Sequence, residues 1–154
     1  MEYAACLSRL QRLCSRAEYC ASDMYRKALK DLEGDSSAAA RVVAALKADK
    51  YVDDARYASA FAHEKSSLQG WGPVKIRFQL RAKGISDDDI AAGLAEIEAP
   101  KADAKLRRLV EDKYKVLAGD PQCKLKLLKY VLSRGYEYDH VAPVVDSIIA
   151  GSEV

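Results

Sequence analysis

Apolar residues near the amino terminus recur every three or four positions, at 3, 6, 7, 10, 13 and 14. This spacing places them on one side of an α-helix, so the pattern predicts a helix over about residues 3–18. Similar spacing returns along the chain, and no stretch alternates apolar and polar residues between hairpin signals. We therefore expect an all-α protein with nine short helices.

Glycine and proline divide this pattern at regular distances. Gly34, Gly84 and Gly135 each follow a predicted helix and lie 50 and 51 residues apart. Pro73 and Pro121 begin corresponding helices, because the first helical position tolerates a missing N–H. The repetition predicts three tandem three-helix repeats, over residues 1–52, 53–99 and 100–154. Each repeat is too small to bury its own helix faces well, so we expect the repeats to stack into an elongated, curved helical array.

Capping residues predict where several helices begin. Ser22 is expected to cap the second helix, and Asp53 or Asp54 the fourth. Ser86, with Asp89 three residues later, resembles a capping box at the start of the sixth. These interpretations use only residues that are close together in the chain.

Composition is that of a folded domain with a real core. The 154 residues are 49% hydrophobic, which excludes a disordered tail, and the formal net charge of +2 is too small to identify a nucleic-acid binder. The four cysteines form no Cys-x-x-Cys pair and have no histidine near them, so we expect no metal site and free thiols. Arginines interrupt the amino-terminal apolar pattern, and no apolar run approaches membrane-spanning length. We expect a cytoplasmic monomer without a cofactor.

The cations are clustered although their sum is small. Two corresponding helices, after Pro73 and after Pro121, carry several lysines and arginines and almost no acid. Repetition of this bias predicts a basic surface along the repeats that binds a partner protein or DNA. Its candidate residues are Lys75, Arg77, Arg81, Lys83, Arg107, Arg108, Lys124, Lys126, Lys129 and Arg134.

Each of these features also has a purely structural interpretation. The cations could form a solvated helix face, and Lys83 and Arg134 lie in last turns, where positive charge complements the helix dipole. Arg107 and Arg108 could extend the surface or pair with Glu111. Trp71 could stack on a base or fill the seam between repeats, and we favour the seam.

We expect no catalytic site. His63 and His140 have no evident nucleophile partner, and the sequence lacks a glycine-rich phosphate loop. The three consecutive acids that begin at Asp87 are typical of a helix start rather than of metal ligands.

Three stretches resemble the central signature of the RecX family of regulatory proteins. They are YVDDARYASAF at 51–61, GWGPVKIR at 70–77 and LRAKGI at 80–85, and LSRGYEYD at 132–139 resembles the family's C-terminal signature. The resemblance covers nearly the whole chain in order and spacing. It implies a three-repeat helical protein that binds the RecA recombinase filament on single-stranded DNA. It also implies modulation, usually inhibition, of strand exchange, ATP hydrolysis and coprotease activity.

Three hypotheses remain open from the sequence. The leading one is a regulator that lies along the RecA filament, with contacts to single-stranded DNA and weaker contacts to duplex DNA. The second is a direct DNA-binding module whose three-helix units act like helix-turn-helix readers. The third is a helical adaptor whose basic faces bind some other acidic protein.

Overall fold

The computed structural model describes residues 1–152 and is helical throughout. Within that part of the chain there are nine helices and no strand. Their bounds are α1 Tyr3–Cys14, α2 Ala21–Asp31, α3 Ser36–Ala48, α4 Asp54–Ser67, α5 Pro73–Ala82, α6 Asp87–Ala95, α7 Ala99–Leu117, α8 Cys123–Ser133 and α9 Tyr138–Ser152. The expected all-α class is confirmed, and the predicted helices are found in the predicted order.

The observed end of α1 differs from expectation, and two helices contain a proline beyond their first residue. Helix α1 ends at Cys14 rather than near residue 18, and α7 begins at Ala99, with Pro100 inside its first turn. Proline is tolerated there because the first-turn N–H groups have no partner within the helix. Helix α9 continues through Pro143.

One compact unit comprises Met1–Ala60 and Leu80–Gly93. Its principal core joins α1, α2 and α3 around side chains such as Leu10, Met24 and Leu46, none of which reaches solvent. Leu80, Ile85 and Ile90 are also buried in this unit. Burial of such side chains is the main favourable term in folding.

The other compact unit comprises Phe61–Gln79 and Leu94–Val154. Its core joins α7, α8 and α9 around Val110, Leu127, Val131 and Val141. Helices α4, α5 and α6 each contribute residues to both units. The three predicted repeat boundaries stay a prediction.

The caps show where local reasoning succeeds and where it fails. Asp53 accepts a bond from the backbone N–H of Arg56 at 3.1 Å, and Ser86 accepts one from Asp89 at 3.2 Å, so both predicted caps are confirmed. Ser22 was predicted to cap α2, and that prediction is wrong. Helix α2 begins at Ala21, whose N–H donates to the Asp54 carboxylate at 2.8 Å. The cap comes from a distant helix, which local sequence could not show.

Candidate binding surface

The start of α5 and the turn after α8 meet through backbone atoms in the second unit. The N–H of Gly72 donates to the carbonyl of Arg134 at 2.8 Å, and the N–H of Val74 donates to the carbonyl of Gly135 at 2.9 Å. The first N–H groups of a helix have no partner within it, and here the end of another helix supplies carbonyl acceptors. We call this contact the α5–α8 junction.

Two glycines allow the backbones of the junction to approach so closely. A Cβ atom on Gly72 would lie 2.4 Å from the carbonyl oxygen of Gly135. Gly135 has φ +96, and a Cβ there would lie 2.2 Å from the Cβ of Lys75. Any side chain at either position would force the two segments apart, so both glycines are structural.

Arg134 and Tyr136 hold the loop before α5 against this junction. The Arg134 guanidinium donates to the carbonyl of Gln69, and the Tyr136 hydroxyl donates to the carbonyl of Gly70 at 3.2 Å. Within the part of the chain described, the Arg134 Nε is buried without a hydrogen-bond partner. Arg134, a candidate binding residue, is therefore engaged in the fold.

The first unit contains a comparable contact between α2 and the end of α5. The Ser22 hydroxyl donates to the carbonyl of Lys83 at 2.6 Å, and the Lys83 ammonium donates to Asp23 at 3.0 Å. Asp23 also accepts from Arg26 at 2.6 Å. Burial opposes ionisation of Asp23, but the bond from Lys83 and those from its other donors outweigh burial and lower its pKa. The same bond raises the pKa of Lys83.

Most of the other candidate cations pair with acids. Exposed ion pairs form between Arg81 and Asp87 (3.0 Å), Arg107 and Glu111 (3.1 Å), Arg108 and Asp112 (3.9 Å), Lys124 and Asp146 (2.9 Å), and Lys126 and Asp120 (2.6 Å). Such pairs contribute about 0–1 kcal/mol, so an incoming phosphate or carboxylate could compete for the cation. Local acids nevertheless reduce the net positive charge of the predicted surface.

Three candidates make no ion pair with an acid of residues 1–152 and no hydrogen bond to a backbone carbonyl there. The Lys75 ammonium lies 4.3 Å from the centre of the Trp71 ring, a cation–π contact. Arg77 is partly exposed on α5, and Lys129 is exposed on α8. Arg77 and Lys129 are thus the cations of the predicted surface that are most available to a partner.

Trp71 is packed within the second unit. Its ring meets Phe61 edge to face, with centroids 6.1 Å apart, and the Lys65 ammonium lies 5.0 Å from its centre. Trp71 also lines a cavity of about 580 Å³ together with Ile76, Ile97 and Tyr136. These contacts support the structural interpretation of Trp71 over stacking on a base.

Two exposed apolar residues of α5 were missed by the sequence reasoning. Phe78 is 68% exposed and Val74 is 41% exposed, and they lie one helical turn apart. The buried stripe of the same helix is formed by Ile76 and Leu80. The signal was available, because a helix position two residues from a core residue points away from the core.

Neither a metal site nor a membrane span is found in the part of the chain that the structure describes. No group of three or more histidine, cysteine or acidic side chains there could hold a metal ion. None of the helices formed by those residues has the length and apolar character needed to cross a membrane.

Comparison with known proteins gives one consistent result. A family model described as RecX, second three-helix domain, matches residues 53–94. A regulatory protein RecX of Clostridium botulinum (strain Eklund 17B / Type B) is 32% identical over 126 residues, which cover 75% of this chain and 55% of the relative. The family model and the curated relatives support assignment to the RecX family.

Other RecX proteins match this chain over different lengths. The Salmonella typhimurium regulatory protein RecX is 24% identical over an alignment that covers 92% of this chain and 90% of the relative. The crystal structure of RecX from Lactobacillus salivarius superposes with a TM-score of 0.84 at 17% identity, covering 96% of this chain and 97% of the other. This chain spans little more than half of the length of the clostridial relatives it matches.

Proposed function

We propose that this RecX-family protein binds the RecA recombinase filament on single-stranded DNA and inhibits its strand exchange, ATP hydrolysis and coprotease activity. The observation that carries the proposal is the match to relatives that are named regulatory proteins. The signature stretches that imply a RecA partner include residues 70–77 and 80–85, which lie in the loop before α5, in α5 and in the turn after it. Binding of a rigid helical protein would alter the filament without chemistry of its own.

Arg77 and Lys129 are the proposed points of charge contact. Arginine presents a planar fork that can bind a phosphate or a carboxylate through two hydrogen bonds. Neither residue gives up an acid partner on binding, because no ion pair to either is found among residues 1–152. Both cations can therefore bind a partner without breaking an ion pair found among residues 1–152.

The paired cations make a direct duplex-DNA reader a weaker alternative. Six of the ten candidate cations, Lys83 included, already lie beside an acid. A protein that neutralises many phosphates shows steep loss of affinity as salt rises. Titration of labelled single-stranded and duplex DNA over a salt series would distinguish that module, with its steep slope and duplex preference, from a filament regulator.

The proposal is tested by adding the purified protein to RecA on single-stranded DNA and measuring ATP hydrolysis and strand exchange. We expect both to fall in proportion to the protein added. The double variant Arg77→Glu/Lys129→Glu should weaken this inhibition by about tenfold or more. The introduced carboxylates would repel the negatively charged groups of the partner that the two cations contact. The charge-matched control is Lys47→Glu/Lys115→Glu, at two exposed positions outside the predicted surface.

Two results would contradict the proposal. Absence of any effect on RecA at every stoichiometry would exclude filament regulation. Equal inhibition by the Arg77/Lys129 variant and by its control would show that these two cations are only solvated surface. Recovery of a different stoichiometric partner, and no RecA, would favour the adaptor instead.

A further inference from the structure

Helix α5 exposes a stripe on which an aromatic ring and a guanidinium are neighbours. Phe78 is 68% exposed, Val74 is 41% exposed, and Arg77 lies between them in sequence. Positions 74, 77 and 78 fall on one side of a helix, because residues three and four apart are adjacent. All three belong to the second compact unit. We call this set the α5 stripe.

Because Phe78 is exposed, it does not make the stabilising contribution that a buried phenylalanine would make. Full burial of such a side chain contributes about 1.5–3 kcal/mol relative to an exposed one. Phe78 instead lies on a different side of α5 from Ile76 and Leu80, which are both fully buried. A single exposed apolar residue needs no explanation, but here two lie one turn apart beside a cation.

The segment that carries the α5 stripe contains cations and no acid, and the nearest paired acid, Asp87 of α6, binds Arg81 one turn beyond Arg77. No acid occurs between Lys65 and Ser86, a segment that holds five cations. Arg77 has no ion pair with any acid of residues 1–152. A ligand that complements this stripe must offer a negative charge and, within a few ångströms of it, a flat apolar face.

We propose that the α5 stripe binds single-stranded nucleic acid, with Phe78 stacked on an unpaired base and Arg77 on a neighbouring phosphate. Every base has a π-face, so stacking on an aromatic side chain is tolerant of sequence. A duplex does not fit as well, because its bases are already stacked on one another and expose only their edges in the grooves. This inference deepens the proposed function but requires only the DNA strand, so it can be tested without RecA.

Helix α8 provides the internal comparison. With the 51-residue spacing of Gly84 and Gly135, Val74 corresponds to Leu125, which is 49% exposed, and Phe78 corresponds to Lys129. Helix α8 therefore offers an exposed apolar residue and a cation but no aromatic ring at the equivalent position. Leu125→Ala is the matched control for a change that removes apolar surface alone.

The test is a thermodynamic cycle between Phe78→Ala and loss of the base. Binding to a fluorescent oligothymidylate of about 12 nucleotides is measured beside binding to an abasic strand of the same length. We expect Phe78→Ala to weaken binding to the oligothymidylate by roughly 5- to 100-fold, and to change binding to the abasic strand by less than about twofold. Phe78→Trp should retain binding, and Leu125→Ala should leave both affinities unchanged.

Arg77→Gln provides an independent readout of the phosphate contact. It should weaken binding to intact and abasic strands equally and reduce the slope of log affinity against log salt by about one. Circular dichroism of each variant checks that helical content is retained.

Three outcomes would overturn the inference. Equal losses for Phe78→Ala on both strands would mean that the ring does not stack on a base. Unchanged DNA binding with reduced inhibition of RecA would assign the α5 stripe to a protein contact. Unchanged DNA binding and unchanged inhibition would leave Phe78 without a binding role, while the proposed function would stand.

Discussion

Gly72→Ala should open the α5–α8 junction while leaving the intrinsic helix propensity of the neighbouring segments almost unchanged. Gly72 is buried, and its φ lies outside the left-handed region, so alanine can adopt its backbone conformation. The new Cβ would nevertheless lie 2.4 Å from the carbonyl oxygen of Gly135 and 2.7 Å from the Tyr136 ring. Both atoms belong to a backbone or a rigid ring that cannot simply rotate away.

The size of the effect follows from the distances. Ordinary contact begins at 3.4 Å, so the two segments must separate by about 1 Å. That movement would stretch the bonds from Gly72 to Arg134 and from Val74 to Gly135, now 2.8 and 2.9 Å long, beyond hydrogen-bonding distance. Each bond contributes about 0.5–1.5 kcal/mol, and a buried group left unpaired costs more, so we expect a loss of about 2–4 kcal/mol.

Chemical unfolding followed by far-UV circular dichroism measures this loss, and thermal unfolding should show a midpoint lowered by about 5–15 °C. The fluorescence of Trp71, the single tryptophan, adds a local readout beside the junction. Gly151→Ala is the control, because a Cβ there meets no atom within 4 Å and its φ is also ordinary. If Gly72→Ala and Gly151→Ala unfold with free energies within about 0.5 kcal/mol of each other, the junction does not hold these segments together.

Three further predictions concern the first unit. Asp23→Asn should lower the free energy of unfolding by about 1–2 kcal/mol at neutral pH, because it removes the negative charge from two ion pairs, one to the exposed Arg26 and one to the partly exposed Lys83. Because the pKa of Asp23 is lowered on folding, its stabilisation is present above the unfolded value of about 3.9 and is lost as pH falls through the folded pKa. Urea titrations between neutral and acid pH should therefore show this acid-dependent loss in the wild type and a smaller one in the variant. Arg56→Ala should lower the free energy of unfolding in urea by about 1 kcal/mol, and Arg56→Lys should recover less than half of that loss. The guanidinium of Arg56 binds a carboxylate and two backbone carbonyls at once, which the ammonium of a lysine cannot reproduce. Cys6 and Cys20 should react with a thiol reagent only on unfolding, because they are fully buried and burial raises their pKa; rapid labelling of both in the native protein would contradict this core.

The helical class could be predicted from the sequence because its signals are short-range. The apolar period of three and four, and caps such as Asp53 and Ser86, act within one or two turns. The family resemblance was also readable, since it lies in contiguous stretches such as residues 70–77. These features survive in any arrangement of the helices.

The candidate surface was predicted less well, because the availability of a cation depends on its neighbours in space. Lys83 and Arg134 were grouped with Arg77 by charge alone. In the structure Lys83 binds Asp23, sixty residues away in the chain, and Arg134 binds a carbonyl in the loop before α5. Phe78 was not among the candidates, because they were chosen by charge.

Asp54 shows most clearly which features depend on the sequence alone and which depend on the tertiary structure. The sequence by itself determined that an acid stands at the start of α4, where the helix dipole favours negative charge. Only the tertiary structure decided that this carboxylate would accept the first N–H of α2 instead of capping its own helix. The physical reason is general: a helix forms from interactions within a few residues, whereas the partners of its unsatisfied ends and of its charged side chains come from whatever the fold brings within 3 Å.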